Sequence, residues 1–428
     1  MSTAETADEP ADQATGAVVP VKANERIGSL DFIRGIAVMG ILAANIIAFG
    51  QPFAAYTYPD AFLVDDGDPG GWMWIAQFVV IDGKMRGLFT LLFGAGLILF
   101  LEKSEAKGAS GWLQPRRLFW LGMFGLFHFF FIWAGDILFL YAAMGLLVLL
   151  AARLRPRNLF ILGGIGLFLG SLFFAGSLSF SYLAVDTELG EKPVFAEART
   201  QSLAAKNDTL SELEDEKELI LSGDYPAFVA NSFAENSKLL AFNIFIGLFE
   251  TAPLMMIGMA FYKIGLFEGR LNQRKQRIWG WVGLVVGGAI SLALALFVKE
   301  GGFTYFGTKV ALMGYSTFPR FIMVFGMAAL LGSYGMHARG WLGERVSAAG
   351  RAAFTNYLGT SVVMMIVFHG WGLGLFGQLN RPELYLVTLL TCALMLAWSK
   401  PWLDRYRYGP LEWLWRCLSY GKLFPNKR

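Results

Sequence analysis

Charge is scarce in this chain. Only 16% of its 428 residues are Asp, Glu, Lys or Arg, against roughly 25% in a soluble globular domain. That scarcity argues against the two or three water-soluble domains the length alone would suggest. Histidine occurs three times and cysteine twice. Cys392 lies in an apolar run and Cys417 in a basic tail, which disfavours a disulfide and predicts two free thiols. The sequence has no Gly-rich phosphate loop, no cysteine pair at metal-ligand spacing, no His-rich cluster and no nucleophilic-serine elbow. No bound metal or cofactor is expected. The net charge of +3 is small, and no nucleic-acid partner is expected.

What the chain has instead is hydrocarbon. Hydrophobic residues make up 55% and aromatics 15%, and the mean hydropathy is +0.49. Apolar runs of about 20 residues read as spanning helices. They predict an all-α, polytopic membrane bundle of about ten transmembrane helices, near 29–50, 84–101, 117–133, 137–152, 157–178, 239–262, 278–297, 318–336, 352–370 and 384–401. The stretch 72–81 is too short to span and reads as interfacial or re-entrant. Residues 1–28 are polar and acidic without an apolar core, and read as a disordered cytoplasmic tail. Spans one to five then occupy 29–185, an acidic helical insert 186–238, spans six to ten 239–402, and a basic tail 403–428. Twenty-four of the 36 Lys and Arg fall on one set of alternate loops and eight on the other. That asymmetry places both termini in the cytoplasm and the insert outside. The insert holds 12 acidic and 5 basic residues and reads as a solvated lid.

A charged group in hydrocarbon is costly, so the few polar residues left inside spans are the candidates for function. They are Asp31, Arg34, Asp82, Lys84, Arg86, Asp136, Glu250 and Arg320, with His128, His337 and His369. Each has a structural reading as well. Asp136 follows a tight turn and suits a helix N-cap, yet a nearby neutral His128 could act as a general base. Asp82 and Lys84 could be an interfacial ion pair, and Arg320 a helix anchor. His369 precedes a Gly-rich external loop. Asp31 and Arg34 share a helix face and either anchor the first span or receive an anion from the cytoplasm. Glu250 falls near the midplane. Pro253 cannot bond the carbonyl of Phe249, so a broken, polar midspan is expected there, facing a cavity or pathway.

Several stretches resemble a known family. "RIGSLDFIRGIAVMGILAANI" resembles the first helix of the transmembrane acyltransferase superfamily. "IDGKMRGLFTLLFGAGL", "GLFHFFFIWAGDILFLYAAMGLLVLL" and "GRAAFTNYLGTSVVMMIVFHGWGLGLFGQL" with "RYRYGPLEWLWRCLSYGK" resemble its YeiB-like branch, characterised by domain of unknown function 418. The resemblance spans about residues 26–422. It implies a bacterial inner-membrane fold that passes an acyl group from a cytoplasmic donor, with acyl-coenzyme A as co-substrate, to an external acceptor such as a sugar. Many members of the wider superfamily carry a histidine near the outer end of the first helix. The corresponding residue here is Asn45, which cannot be a general base. Either His128 with Asp136 takes that role, or Asp82 does, or this branch no longer transfers acyl groups. On the acyl-transfer reading Asn45 donates to the oxyanion. Asp31 and Arg34 then admit the donor, Lys84 or Arg320 positions the acceptor, and Arg86, Glu250 and His369 complete the candidate substrate-binding residues. The alternatives are a transporter or flippase of a small amphipathic molecule, with Glu250 as a proton-coupled site, and a non-catalytic membrane subunit that binds lipid, a protein partner or a second copy.

Overall fold

The computed structural model describes residues 27–428, so the reading of the N-terminal tail as disordered lies outside the described residues. Those residues are predominantly helical and contain no β-sheet. In chain order the helices are α1 (Gly28–Gly50), α2 (Trp72–Val80), α3 (Lys84–Ala106), α4 (Leu113–Phe131), α5 (Leu138–Leu149) and α6 (Pro156–Val185). The insert supplies α7 (Ala196–Leu221) and α8 (Tyr225–Glu235). Then come α9 (Ser237–Phe249), α10 (Thr251–Lys263), α11 (Gln273–Glu300), the short α12 (Tyr305–Lys309), α13 (Thr317–Gly335), α14 (Trp341–Arg351), α15 (Ala353–Phe368), α16 (Arg381–Arg405) and α17 (Pro410–Tyr420).

Six stretches are long and apolar enough to cross a membrane, and eight if the bent pairs α9–α10 and α14–α15 each count as one span. The expected ten also included α4 and α5. The first turns of α4 carry Gln114, Arg116 and Arg117. With 12 residues, α5 is about 18 Å long, short of the ~30 Å hydrocarbon layer. The 72–81 stretch is α2. It joins α3 through the turn Ile81–Gly83 to make one apolar stretch of 35 residues, and it packs Trp74, Ile75 and Phe78 against Ala295, Ala311 and Leu312.

In a membrane, helices associate by close packing, and small residues allow the closest approach. Helices α3 and α10 meet in this way. A Cβ added at Gly94 would lie 2.1 Å from the Met255 carbonyl oxygen, and one at Gly258 would lie 1.9 Å from that of Leu91. Helix α1 crosses α14 similarly, with Gly350 against the Asp31 carbonyl. The apolar core runs through α1, α3, α5, α10 and α13.

The insert rests on the end of the bundle. Tyr225 Oη donates to the Phe131 carbonyl at 2.6 Å, and the Phe233 ring stacks on Phe130 at 4.1 Å. Glu216 of α7 accepts from the Phe53 N–H with both oxygens at 3.3 Å. Burial pushes the Glu216 carboxyl up to about 7, and Glu212 pushes in the same direction. The basic stretch at the C-terminus packs on the bundle. Its amphipathic α17 buries Cys417 and Ser419, and both cysteines are free thiols. Glu412 crosses to the start of α15, where it accepts from Phe354 N at 2.8 Å, Thr355 N at 3.1 Å and Thr355 Oγ1 at 2.5 Å.

Candidate functional site

The polar residues of the bundle gather into three groups. The first is made by the α4–α5 hairpin. His128 stands in the last turn of α4 and is fully buried, and Asp136 lies just beyond the turn. One Asp136 oxygen accepts from the Phe139 N–H at 2.8 Å and so satisfies a free donor in the first turn of α5, although Ile137 and not Asp136 holds the N-cap position. The other lies 2.9 Å from His128 Nδ1. A carboxylate only accepts, so Nδ1 carries the proton in this contact, and the neutral form of the ring has its lone pair on Nε2. Nε2 is buried and has no partner among the described residues. The Tyr357 ring sits 5.3 Å from the imidazole, and its hydroxyl accepts from Ile137 N at 3.3 Å.

The second group forms where α9 ends. Pro253 removes a helical bond, and the break falls at Glu250, with a 42° bend between α9 and α10. Arg86 Nη2 donates to both Glu250 oxygens, at 2.8 and 2.9 Å. Arg320 Nη1 reaches the same carboxylate at 3.4 Å. Arg320 is held from behind, since its Nη2 donates to the Leu312 carbonyl at 2.7 Å and to Ser316 Oγ at 2.9 Å. Leu312 belongs to a π-helical turn, Val310–Tyr315, a local distortion frequent at functional sites. Gly83 adopts φ +68°, and a Cβ there would lie 2.4 Å from Arg320 Nε, so a glycine leaves room for the guanidinium. Thr90 and Tyr141 hydroxyls meet at 2.5 Å, and both reach the Arg86 carbonyl.

The third group centres on Gln77, the polar residue of α2. Its amide donates to Asp82 at 3.0 Å. Its carbonyl accepts from Tyr385 Oη at 2.6 Å and from Arg381 Nη1 at 3.3 Å. Tyr56 Oη reaches Asp82 at 3.5 Å. Arg381 is fully buried, with Nε 3.8 Å from Asp68, which caps the start of α2. Asp82 and Lys84 do not form a direct ion pair. Lys84, almost fully buried, turns back to donate to the Phe78 carbonyl.

The remaining candidates lie apart. Asp31 and Arg34 pair at 3.3 Å near the start of α1. Asn45 is half-buried, one turn before Phe49, whose ring lies 4.1 Å from that of Trp133 in the α4–α5 turn. His369 is buried with its ring 4.9 Å from Phe228 of the insert, and burial pushes it down to about 4. His337 Nδ1 lies 3.3 Å from the Ser333 carbonyl. The structure therefore joins His128 to Asp136, and Arg86 to Glu250 and Arg320. It places Asp82 and Lys84 on a turn that adjoins Arg320, with Asp82 bound to the Gln77 hub.

Sequence reasoning passed over Tyr56, Gln77, Thr90, Tyr141, Tyr357, Arg381 and Tyr385. The signal for Gln77 was a lone amide in an apolar nine-residue helix. The signal for Arg381 was a lone cation in a loop read as external. Among the described residues, no group of three or more His, Cys, Asp or Glu is placed to hold a metal. Two hollows lie elsewhere. One of about 480 Å³ is lined by Trp341, Glu344, Arg345, Lys400 and Asp404, and an apolar lateral groove of about 440 Å³ is lined by Val79, Leu284, Gly288 and Met323. Neither touches His128.

Residues 261–422 match the family model described as "Protein of unknown function (DUF418)". The chain is 31% identical over 414 residues to the uncharacterized protein YxaH of Bacillus subtilis, covering 94% of this chain and 96% of that one. It is 31% identical over 396 residues to the uncharacterized protein YeiB of Escherichia coli, covering 92% and 96%. No solved structure matches the chain. With relatives this similar over nearly their whole lengths, the chain belongs to the YeiB-like DUF418 family.

Proposed function

We propose that this protein is a membrane acyltransferase that uses His128 as its general base. The observation that carries the reading is the buried, unpartnered Nε2 of an imidazole held at Nδ1 by Asp136. Such an arrangement is suited to proton abstraction. The donor is an acyl-coenzyme A admitted near Asp31 and Arg34, and the acceptor is a hydroxyl or amine of a sugar or amphipathic molecule on the external side. Nε2 takes the acceptor proton as its oxygen or nitrogen attacks the thioester carbonyl. The carbon–sulfur bond breaks, and the departing thiolate takes up the proton. Asn45 lies on the helix that meets the hairpin and supplies a donor for the oxyanion. His128 is enclosed, so substrate entry requires α8 to lift from Phe130 and Phe131. Counting α4 and α5 as spans gives ten crossings with both termini cytoplasmic, in a bacterial inner membrane.

A second reading, a non-catalytic membrane subunit, draws on the lateral groove, whose apolar lining suits a lipid chain or a partner helix. Proton-coupled transport through Glu250 is the weaker alternative, because a proton arriving there must displace contacts with two guanidiniums.

The test is mass spectrometry of lipids and envelope sugars in a deletion strain complemented with wild type, His128→Ala or Asp136→Asn. Wild type restores a missing acyl modification. His128→Ala does not, although it accumulates and melts like wild type. Asp136→Asn restores only a small part. An unchanged profile on deletion, or full restoration by His128→Ala, refutes the proposal.

A further inference from the structure

We propose that Arg86 and Arg320 form the wall of an oxyanion-binding site at the α9–α10 break, which receives a carboxylate or phosphate group of a ligand. The inference stands on this group alone and does not depend on acyl transfer.

The charge count is the first argument. Two guanidiniums face one carboxylate, Glu250. Asp82, on the neighbouring turn, is engaged by Gln77 and Tyr56 and interacts at longer range with Lys84, Arg381 and Arg320. The other groups facing Arg86 are the hydroxyls of Tyr56 and Tyr141. At ion-pair distance the two guanidiniums share a single carboxylate inside an apolar bundle, an arrangement that favours binding a further anion.

The geometry is the second argument. Glu250 occupies only Nη2 of Arg86. Nε and Nη1, with three of the five N–H bonds of a guanidinium, have no partner among the described residues. They are reachable, since 35% of the Arg86 side-chain surface is exposed, against 10% for Glu250 and 7% for Arg320. Arg320 cannot turn away, because Leu312 and Ser316 hold one end and Gly83 packs against Nε. The result is an anchored cation behind the carboxylate and a partly open one in front. Planar guanidinium donors match oxyanions, carboxylates and phosphates alike, better than a spherical halide.

The proposal also assigns Glu250 a role. It occupies part of the guanidinium pair in the absence of ligand, and it competes with an incoming anion. Removing its charge therefore strengthens anion binding.

The experiment measures the thermal unfolding midpoint of the full-length protein in a non-ionic detergent. Inorganic phosphate, acetate and chloride are titrated at constant ionic strength, because a ligand that binds only the folded state raises the midpoint in a saturable way. Wild type is expected to respond to phosphate or acetate and not to chloride. The two oxyanion arms separate a phosphate ligand from a carboxylate one. Arg86→Gln is expected to raise the apparent Kd by about tenfold or more, as loss of a charge-assisted hydrogen bond does. Glu250→Gln is expected to lower it by severalfold. The absence of any saturable oxyanion response in wild type overturns the proposal, as does an equal response to chloride. A wild-type response in Arg86→Gln also overturns it. If Arg86→Gln does not fold, Glu250→Gln decides, because a Kd that is unchanged or weakened there overturns the site.

Discussion

Docking of the insert depends on pH through Glu216, and the dependence has a definite sign. Its contacts with Phe53 N are long, at 3.3 Å, and offset only part of the cost of burying the carboxylate. The carboxyl is pushed up to about 7, above the ordinary glutamate value of about 4.5. The docked state therefore binds a proton more tightly than the undocked state. Docking is strongest below about pH 4.5, weakens as pH rises from there to about 7, and is level above that. The full shift corresponds to an upper bound of about 3 kcal/mol. Glu216 is partly exposed, and screening by solvent reduces the expected effect to about 1 kcal/mol, a factor of roughly five in the docked-to-undocked ratio. His369, facing Phe228 and pushed down to about 4, acts in the opposite direction. If undocking exposes it, docking gains strength as pH rises from about 4 to 6.5. The Glu216 contribution is therefore read as the difference between wild type and Glu216→Gln. The assay is amide hydrogen exchange of residues 196–235 in nanodiscs, corrected for intrinsic exchange rates. Protection should be similar in the two proteins at pH 5 and about fivefold greater in Glu216→Gln at pH 7.5. A difference that stays constant across that range refutes the reasoning.

Two further outcomes follow from packing and capping. Glu412→Ala removes three hydrogen bonds from the start of α15 and should cost about 2–4 kcal/mol, lowering the unfolding midpoint in detergent. Glu412→Gln, which keeps the shape and an acceptor oxygen, should lose about half as much. Gly258→Ala pushes a methyl group into the Leu91 carbonyl and should cost about 3 kcal/mol, read as reduced accumulation and a lower midpoint. Gly164→Ala meets nothing within 4 Å, and an equal loss there would show that the α3–α10 contact is not the cause.

The local features of this molecule were legible because short-range rules govern them. Pro253 could only interrupt its helix, and the break is found at Glu250. His128 and Asp136 are eight residues apart across one hairpin, so their meeting needed no knowledge of the rest of the chain. What could not be read depends on distant segments. Arg86 and Glu250 are 164 residues apart, and Gln77 and Tyr385 are 308 apart. No periodicity announces such pairings. Local adjacency also misled at one point. Asp82 and Lys84 look like partners in sequence, yet the turn at Gly83 directs the lysine back to Phe78 and leaves the aspartate to Gln77 and Tyr56. The C-terminal stretch read as a basic tail because residues 403–428 carry six Lys and Arg against two acids. Its apolar residues line one helical face that the bundle covers.

The contact between α3 and α10 divides the molecule mechanically. With backbone pressed on backbone at Gly94 and Gly258, these two helices have no slack along their shared length and act as a stator. The segment on the other side of Glu250 has a single contact of this kind, at its very end, where a Cβ on Gly170 would lie 2.6 Å from the Phe249 carbonyl oxygen. Helix α9 buries only Gly247 and connects directly to the insert. A swing of α9 and α8 together would pivot at Glu250 and leave Arg86 stationary. Work done on the insert would then reach the middle of the bundle as a change in how firmly one carboxylate is gripped.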